Sequence, residues 1–163
     1  KNQEALEDLD KAIDLNPNIS KFYSERGLLK FNLGNFEESI LDCEKAICLD
    51  PEDLNSFLIK GLFKYHQKDF YGSISDLINC EKKDPKNITC LMYLGMCKFD
   101  LKDFCNAQKE FNKVLEIIEH KEILRYRGIC NLELGKKELA KEDFANAIGL
   151  GDIESKKLLS ELN

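Results

Sequence analysis

The chain lacks the residue patterns that most chemistry requires. It has no GxSxG, no P-loop, no HExxH and no Rossmann glycine cluster, so no local signature of acyl transfer, phosphate cradling or zinc hydrolysis is present. Histidine is scarce: His66 and His120 are the only two, and neither has an obvious nucleophile beside it. The seven cysteines form no CxxC pair, whereas a zinc site needs about four clustered ligands. No enzyme activity, metal or cofactor is therefore expected. Reduced thiols in a cytoplasmic compartment fit this cysteine usage better than a disulfide scaffold does. Apolar runs are short, and none approaches the ~20 residues that cross a bilayer. Basic residues are outnumbered, with a net charge of −6. That balance argues against nucleic acid and anionic membranes as partners. The chain starts at Lys1 rather than Met and is expected to be a piece of a longer one.

Proline is scarce as well, and its few positions form a pattern. Pro17, Pro51 and Pro85 stand 34 residues apart, and Gly27, Gly61, Gly95 and Gly128 follow at intervals of 34, 34 and 33. Such self-similarity marks a repeat architecture. A small-residue column runs Ala5, Ser39, Ser73, Ala107, Ala140, and a second runs Ala12, Ala46, Cys80, Val114, Ala147. Between them lies a bulkier column of Leu9, Cys43, Leu77, Phe111 and Phe144. Aromatic residues recur at Phe36, Phe70 and Phe104.

Within each unit the apolar spacing is i, i+3, i+4, i+7, the mark of an amphipathic helix. It predicts two helices per unit, over about 20–33 and 35–49 in the first full one, and no strands. Gly34-Asn35, Lys68-Asp69, Lys102-Asp103 and Gly135-Lys136 break each pair, with Asp69 and Asp103 placed to cap the following helix. Each proline ends a second helix.

The arrangement Tyr23…Gly27…Phe36…Ser39…Cys43…Ala46…Pro51 resembles a tetratricopeptide repeat, and the following units echo it. The resemblance implies an all-α fold, an α-solenoid in which antiparallel helix pairs stack as a right-handed superhelix. It covers residues 1–163 as one array. Residues 1–17 are the second helix of a partial repeat, 20–53, 54–87, 88–120 and 121–152 are four repeats, and 153–163 is a capping helix. Two departures stand out: the third repeat is one residue short and lacks its proline, and Lys137 sits in the aromatic column. The first helix, stripped of a partner, is expected to expose Leu6, Leu9 and Ile13, an edge suited to self-association. In the last helix Ile153, Leu158, Leu159 and Leu162 are expected to face the stack.

The same resemblance implies that first helices line a concave groove where a protein or peptide partner lies. Here that face holds Lys21, Ser24, Leu28 and Phe31, then Asn55, Leu58, Leu62, Tyr65 and His66. It continues through Thr89, Met92, Met96, Phe99 and Asp100 to Glu122, Arg125, Ile129 and Leu132. The asparagines of the family's chaperone-tail clamp are missing, which argues against that ligand. Basic residues flank the glycines at Arg26, Lys30, Lys60, Lys64, Lys98 and Arg127. They form either a track for an acidic ligand or ion pairs with Asp42, Asp76, Glu110 and Asp143 on the second helices. The expected function is that of an interaction scaffold. The alternatives are a structural subunit of a large cytoskeletal or ciliary assembly and the regulatory arm of an enzyme whose catalytic domain lies elsewhere.

Overall fold

A computed structural model describes residues 1–162; Asn163, the last residue of the expected capping segment, lies outside them. The described residues form ten helices and no strand. Contacts divide the chain into two compact units, Lys1–Asp84 and Pro85 onward. The first holds α1 (Asn2–Leu15), α2 (Ser20–Asn32), α3 (Phe36–Leu49), α4 (Leu54–His66) and α5 (Phe70–Lys83). The second holds α6 (Ile88–Asp100), α7 (Phe104–Ile117), α8 (Lys121–Glu133), α9 (Lys137–Gly149) and α10 (Ile153–Ser160). The pairs α2–α3, α4–α5, α6–α7 and α8–α9 pack most closely, so the fold is an all-α helical repeat.

Local chemistry sets the helix ends. Asp53, Asp69, Asn87, Asp103 and Asp152 accept from a backbone N–H three residues on, satisfying donors that the first turn leaves unpaired. α1, α3 and α5 end two residues before Pro17, Pro51 and Pro85, where the helix is disfavoured ahead of the ring. Between the helices of each pair the backbone turns through the left-handed region. Gly34 (φ 84°) and Gly135 (φ 73°) do so freely, but in the middle pairs the residue is a lysine, Lys68 (φ 63°) or Lys102 (φ 62°). A side chain in that region costs about 1–2 kcal/mol, partly offset because glycine has more freedom to lose on folding. Lys68→Gly and Lys102→Gly should each raise stability by up to about 1 kcal/mol, read from the urea midpoint. An unchanged or lower midpoint in both would mean the turns carry no strain.

The paired helices meet through the small columns. Ser39 Oγ donates to the Gly27 carbonyl at 2.6 Å and Ser73 Oγ to the Gly61 carbonyl at 2.7 Å, a contact only small residues allow. In the first unit Ile13, Tyr23 and Ala46 form a buried cluster. In the second, Leu91, Ala107, Phe111, Val114, Ile123 and Cys130 do so. Five cysteines are buried, while Cys48 and Cys105 are exposed. Burial first of all pushes the Cys43 thiol up to about 11 and that of Cys130 up to about 12, which keeps both protonated and inert.

Both ends depart from expectation. Ile13 is 9% exposed rather than open, because Tyr23 of α2 packs over it. Leu6 and Leu9 are half-buried. In α10 Ile153 is 78% exposed and Ser155 fully buried. The reason is the cap: Asp152 accepts from both the Ser155 N–H and its hydroxyl, which fixes the helix phase with Ser155 inward. Leu158, Leu159 and Leu162 are half-buried.

Candidate interaction surfaces

Most of the basic residues that flank the repeat glycines on the first helices are bound to acids of the second helices. In the first unit Arg26 donates to Asp42 from Nε (2.9 Å) and Nη2 (2.6 Å), and from Nη1 to Asp10 of α1 (2.5 Å). The Asp42 hydrogen bonds hold Arg26 above its usual range and outweigh burial, which opposes its charge. Lys30 lies 3.0 Å from Asp42, and Lys64 lies 2.7 Å from Asp76. In the second unit Lys98 and Lys113 meet Glu110 at 2.6 and 2.7 Å. Burial alone would push Glu110 up, and these two lysines more than reverse it, leaving it below the usual carboxylate range. Arg127 donates to Asp143 and, from Nη1, to Asn112 of α7. Asn131 takes the place of the lysine and donates to Asp143 at 2.8 Å. Asp42, Asp76, Glu110 and Asp143 are all buried. Arg26, Lys30, Lys64, Lys98 and Arg127 thus tie their own second helices, Arg26 and Arg127 reach the preceding one as well, and Lys60 lies 3.8 Å from Glu44 of the preceding helix α3. The pairing, and not an open basic track, is what the geometry holds.

The face expected to bind a partner is partly occupied by the fold itself. On α2 Lys21 is exposed, Leu28 is 41% exposed and Phe31 is half-buried against Phe36 at 5.2 Å. Ser24 is 1% exposed and donates to the Lys21 carbonyl, so it drops out of any surface. On α4 Asn55 and His66 are exposed, and Leu58, Leu62 and Tyr65 are half-buried. Tyr65 lies 5.7 Å from the rings of both His66 and Phe70.

In the second unit Thr89 and Asp100 are exposed. Met92, Met96 and Phe99 lie half-buried on the core cluster. Phe99 sits 5.7 Å from Phe104 and 5.1 Å from Tyr126, so it braces α6 against its neighbours. Arg125 also serves the fold. It donates to Asp152 at 2.6 Å, lies 3.1 Å from Glu154, and its side chain is 14% exposed, so it bolts α10 to α8. Asp152 escaped the sequence reading. Burial pushes its carboxyl up, while the Ser155 bonds and Arg125 hold it below the usual range. The Asp152-x-x-Ser155 spacing of an N-cap was the signal available.

These features define a stack of helix hairpins with ionic cross-ties. Residues 20–53 match the tetratricopeptide repeat family. Comparison with curated proteins gave no match. Among solved structures the chain is similar to a MamA fragment from Desulfovibrio magneticus RS-1, with 18% identity, TM-score 0.79, and 92% of this chain and 85% of that one covered. It is also similar to YrrB, described as a TPR protein with an unusual peptide-binding site, with 19% identity, TM-score 0.79, and 98% and 84% covered. Residues 20–53 thus carry a tetratricopeptide repeat, and the likeness to these structures extends the same helical-repeat fold over the rest of the chain.

Proposed function

We propose that this chain is a protein-interaction scaffold that receives an extended or helical segment of a partner on its first-helix faces. The observation that carries this reading is a division of labour on α2. Arg26 and Lys30 are engaged by acids of neighbouring helices, while Leu28 stands 41% exposed on the same helix. Apolar residues left open among satisfied charges suit recognition through a few anchors with a polar rim. Within the first unit Leu58, Leu62 and Tyr65 of α4 add half-buried apolar surface, and in the second unit Met92 and Met96 of α6 offer surface of the same kind. Methionine and aromatic side chains adapt to varied ligands. The likeness to YrrB supports a peptide as the kind of partner.

The test is a photo-crosslinking residue placed at Leu28 and, separately, at Tyr71, which is 75% exposed on the second helix α5. In the native protein, adducts should form from the Leu28 position and not from Tyr71. Leu28→Glu should lower affinity for the crosslinked partner by about tenfold or more, about 1.4 kcal/mol, with an unchanged melting temperature. Adducts from Tyr71 alone would move the surface to the second helices.

A further inference from the structure

A cavity of about 600 Å³ lies among α7, α8 and α9 of the second unit, within the range of sites that enclose a ligand. Leu115, Leu124 and Leu150 give it an apolar wall, and Glu116 and Glu119 stand at it. Leu124 is 7% and Leu150 42% exposed, so the wall runs from the interior to the surface. Among the described residues neither glutamate has an ion-pair partner.

The first unit contains the same notch in a closed form. There the cavity is about 270 Å³ and is lined by Pro51, Glu52, Phe57, Asn79, Lys82 and Lys83. Lys83 forms an ion pair with Glu52 across it. At the matching positions two repeats later stand Glu119 for Glu52, Leu124 for Phe57, and Gly149 and Leu150 for Lys82 and Lys83. The second notch has kept the carboxylate and lost that lysine, and the cation that does line it, Arg127, is held by Asp143 and Asn112. It has also lost bulk: a Cβ built on Gly149 meets nothing within 4 Å.

We propose that this notch docks a segment of a partner protein that presents a lysine or arginine beside a bulky apolar residue. The basic head supplies the charge that Lys83 supplies in the first unit and meets Glu116 and Glu119. The apolar neighbour covers Leu124 and Leu150. Charge-assisted hydrogen bonds to carboxylates are the stronger kind, and two unpaired glutamates over an apolar wall select for a cation on an apolar stem. The site lies between α7, α8 and α9 of the second unit and shares no residue with the surface proposed above, so either can fail alone.

The experiment uses the whole chain and two synthetic pentapeptides, capped Leu-Lys-Phe-Lys-Leu and its counterpart with glutamate for lysine, followed by NMR titration. The lysine peptide should shift the amide signals of Leu124, Gly149 and Leu150, and the glutamate peptide should not. Binding should weaken with added salt, which screens exposed charge. Gly149→Leu, which fills open space, should lower affinity by about tenfold, and so should the double variant E116Q/E119Q, neither with a lowered unfolding midpoint. Equal binding of both peptides, shifts confined to other helices, no shifts at all, or unaltered affinity in both variants would overturn the proposal. So would shifts in the notch on concentrating the protein alone, since a second copy would then be its occupant.

Discussion

Replacing Arg127 with methionine is expected to cost about 3–5 kcal/mol, the range for breaking a buried ion pair from one side. The cost arises from what the substitution strands. Asp143 is 3% exposed, and Arg127 reaches it from both Nε and Nη2, at 3.1 and 2.5 Å. Without the guanidinium only the neutral Asn131 amide faces the carboxylate, and an unpaired buried charge is far more costly than the pair is stabilising. The link to Asn112 of α7 goes too. Arg26→Met is the internal control. Asp42 would keep Lys30 at 3.0 Å, so its loss should be clearly smaller. The double variant R127M/D143L removes both charges, and it should be more stable than R127M alone. Urea unfolding of the three proteins checks this. A loss below about 1 kcal/mol for R127M, typical of an exposed pair, would mean that water screens the contact.

The ladder was half legible in the sequence. The offset of 16 residues from Arg26 to Asp42 and from Arg127 to Asp143 follows from the repeat, and both pairs are present. The second link of each arginine, to Asp10 and Asn112, joins neighbouring repeats and depends on how hairpins stack, which periodicity does not encode. The helices themselves were read nearly to the residue, 20–33 against Ser20–Asn32 and 35–49 against Phe36–Leu49, because glycines, caps and prolines are local signals. Arg125 shows where local signals end. Its position on α8 is regular, but its partner Asp152 lies in the connection to α10, and no repeat column contains that acid. Hydrophobicity alone places Ile153 inward, whereas the Asp152–Ser155 cap turns it outward. The notch at Gly149 was invisible for another reason: it is made by what two columns lack, and becomes apparent only beside the closed notch at Lys83.

Adding a single methyl group at the glycine column should discriminate between repeats by the size of the facing residue. A Cβ at Gly128 would lie 2.5 Å from Phe144 Cε1, and one at Gly95 would lie 2.4 Å from Phe111 Cε1. Both rings are fully buried, so neither can swing away. At Gly27 the nearest atoms are Cys43 Sγ and the Ser39 carbonyl, both at 3.2 Å, and a shift of a few tenths of an ångström relieves them. Alanine also favours a helix over glycine by about 1 kcal/mol. Gly27→Ala should therefore be close to neutral, with overpacking and propensity in balance. Gly128→Ala and Gly95→Ala should lose about 1–3 kcal/mol, because displacing a packed ring outweighs the propensity gain. The double variant Gly128→Ala/Phe144→Leu separates the causes. At Gly61 the facing residue is Leu77, and a Cβ there would lie 2.7 Å from its Cγ and Cδ2, so leucine is a size this interface already uses elsewhere and would meet a Cβ less closely than a ring does. If the ring is the obstacle, the double variant should lose less than the sum of the two single ones, a coupling measurable by urea unfolding. Additive losses, or Gly27→Ala falling as far as Gly128→Ala, would show that backbone freedom and not side-chain room keeps glycine in this column.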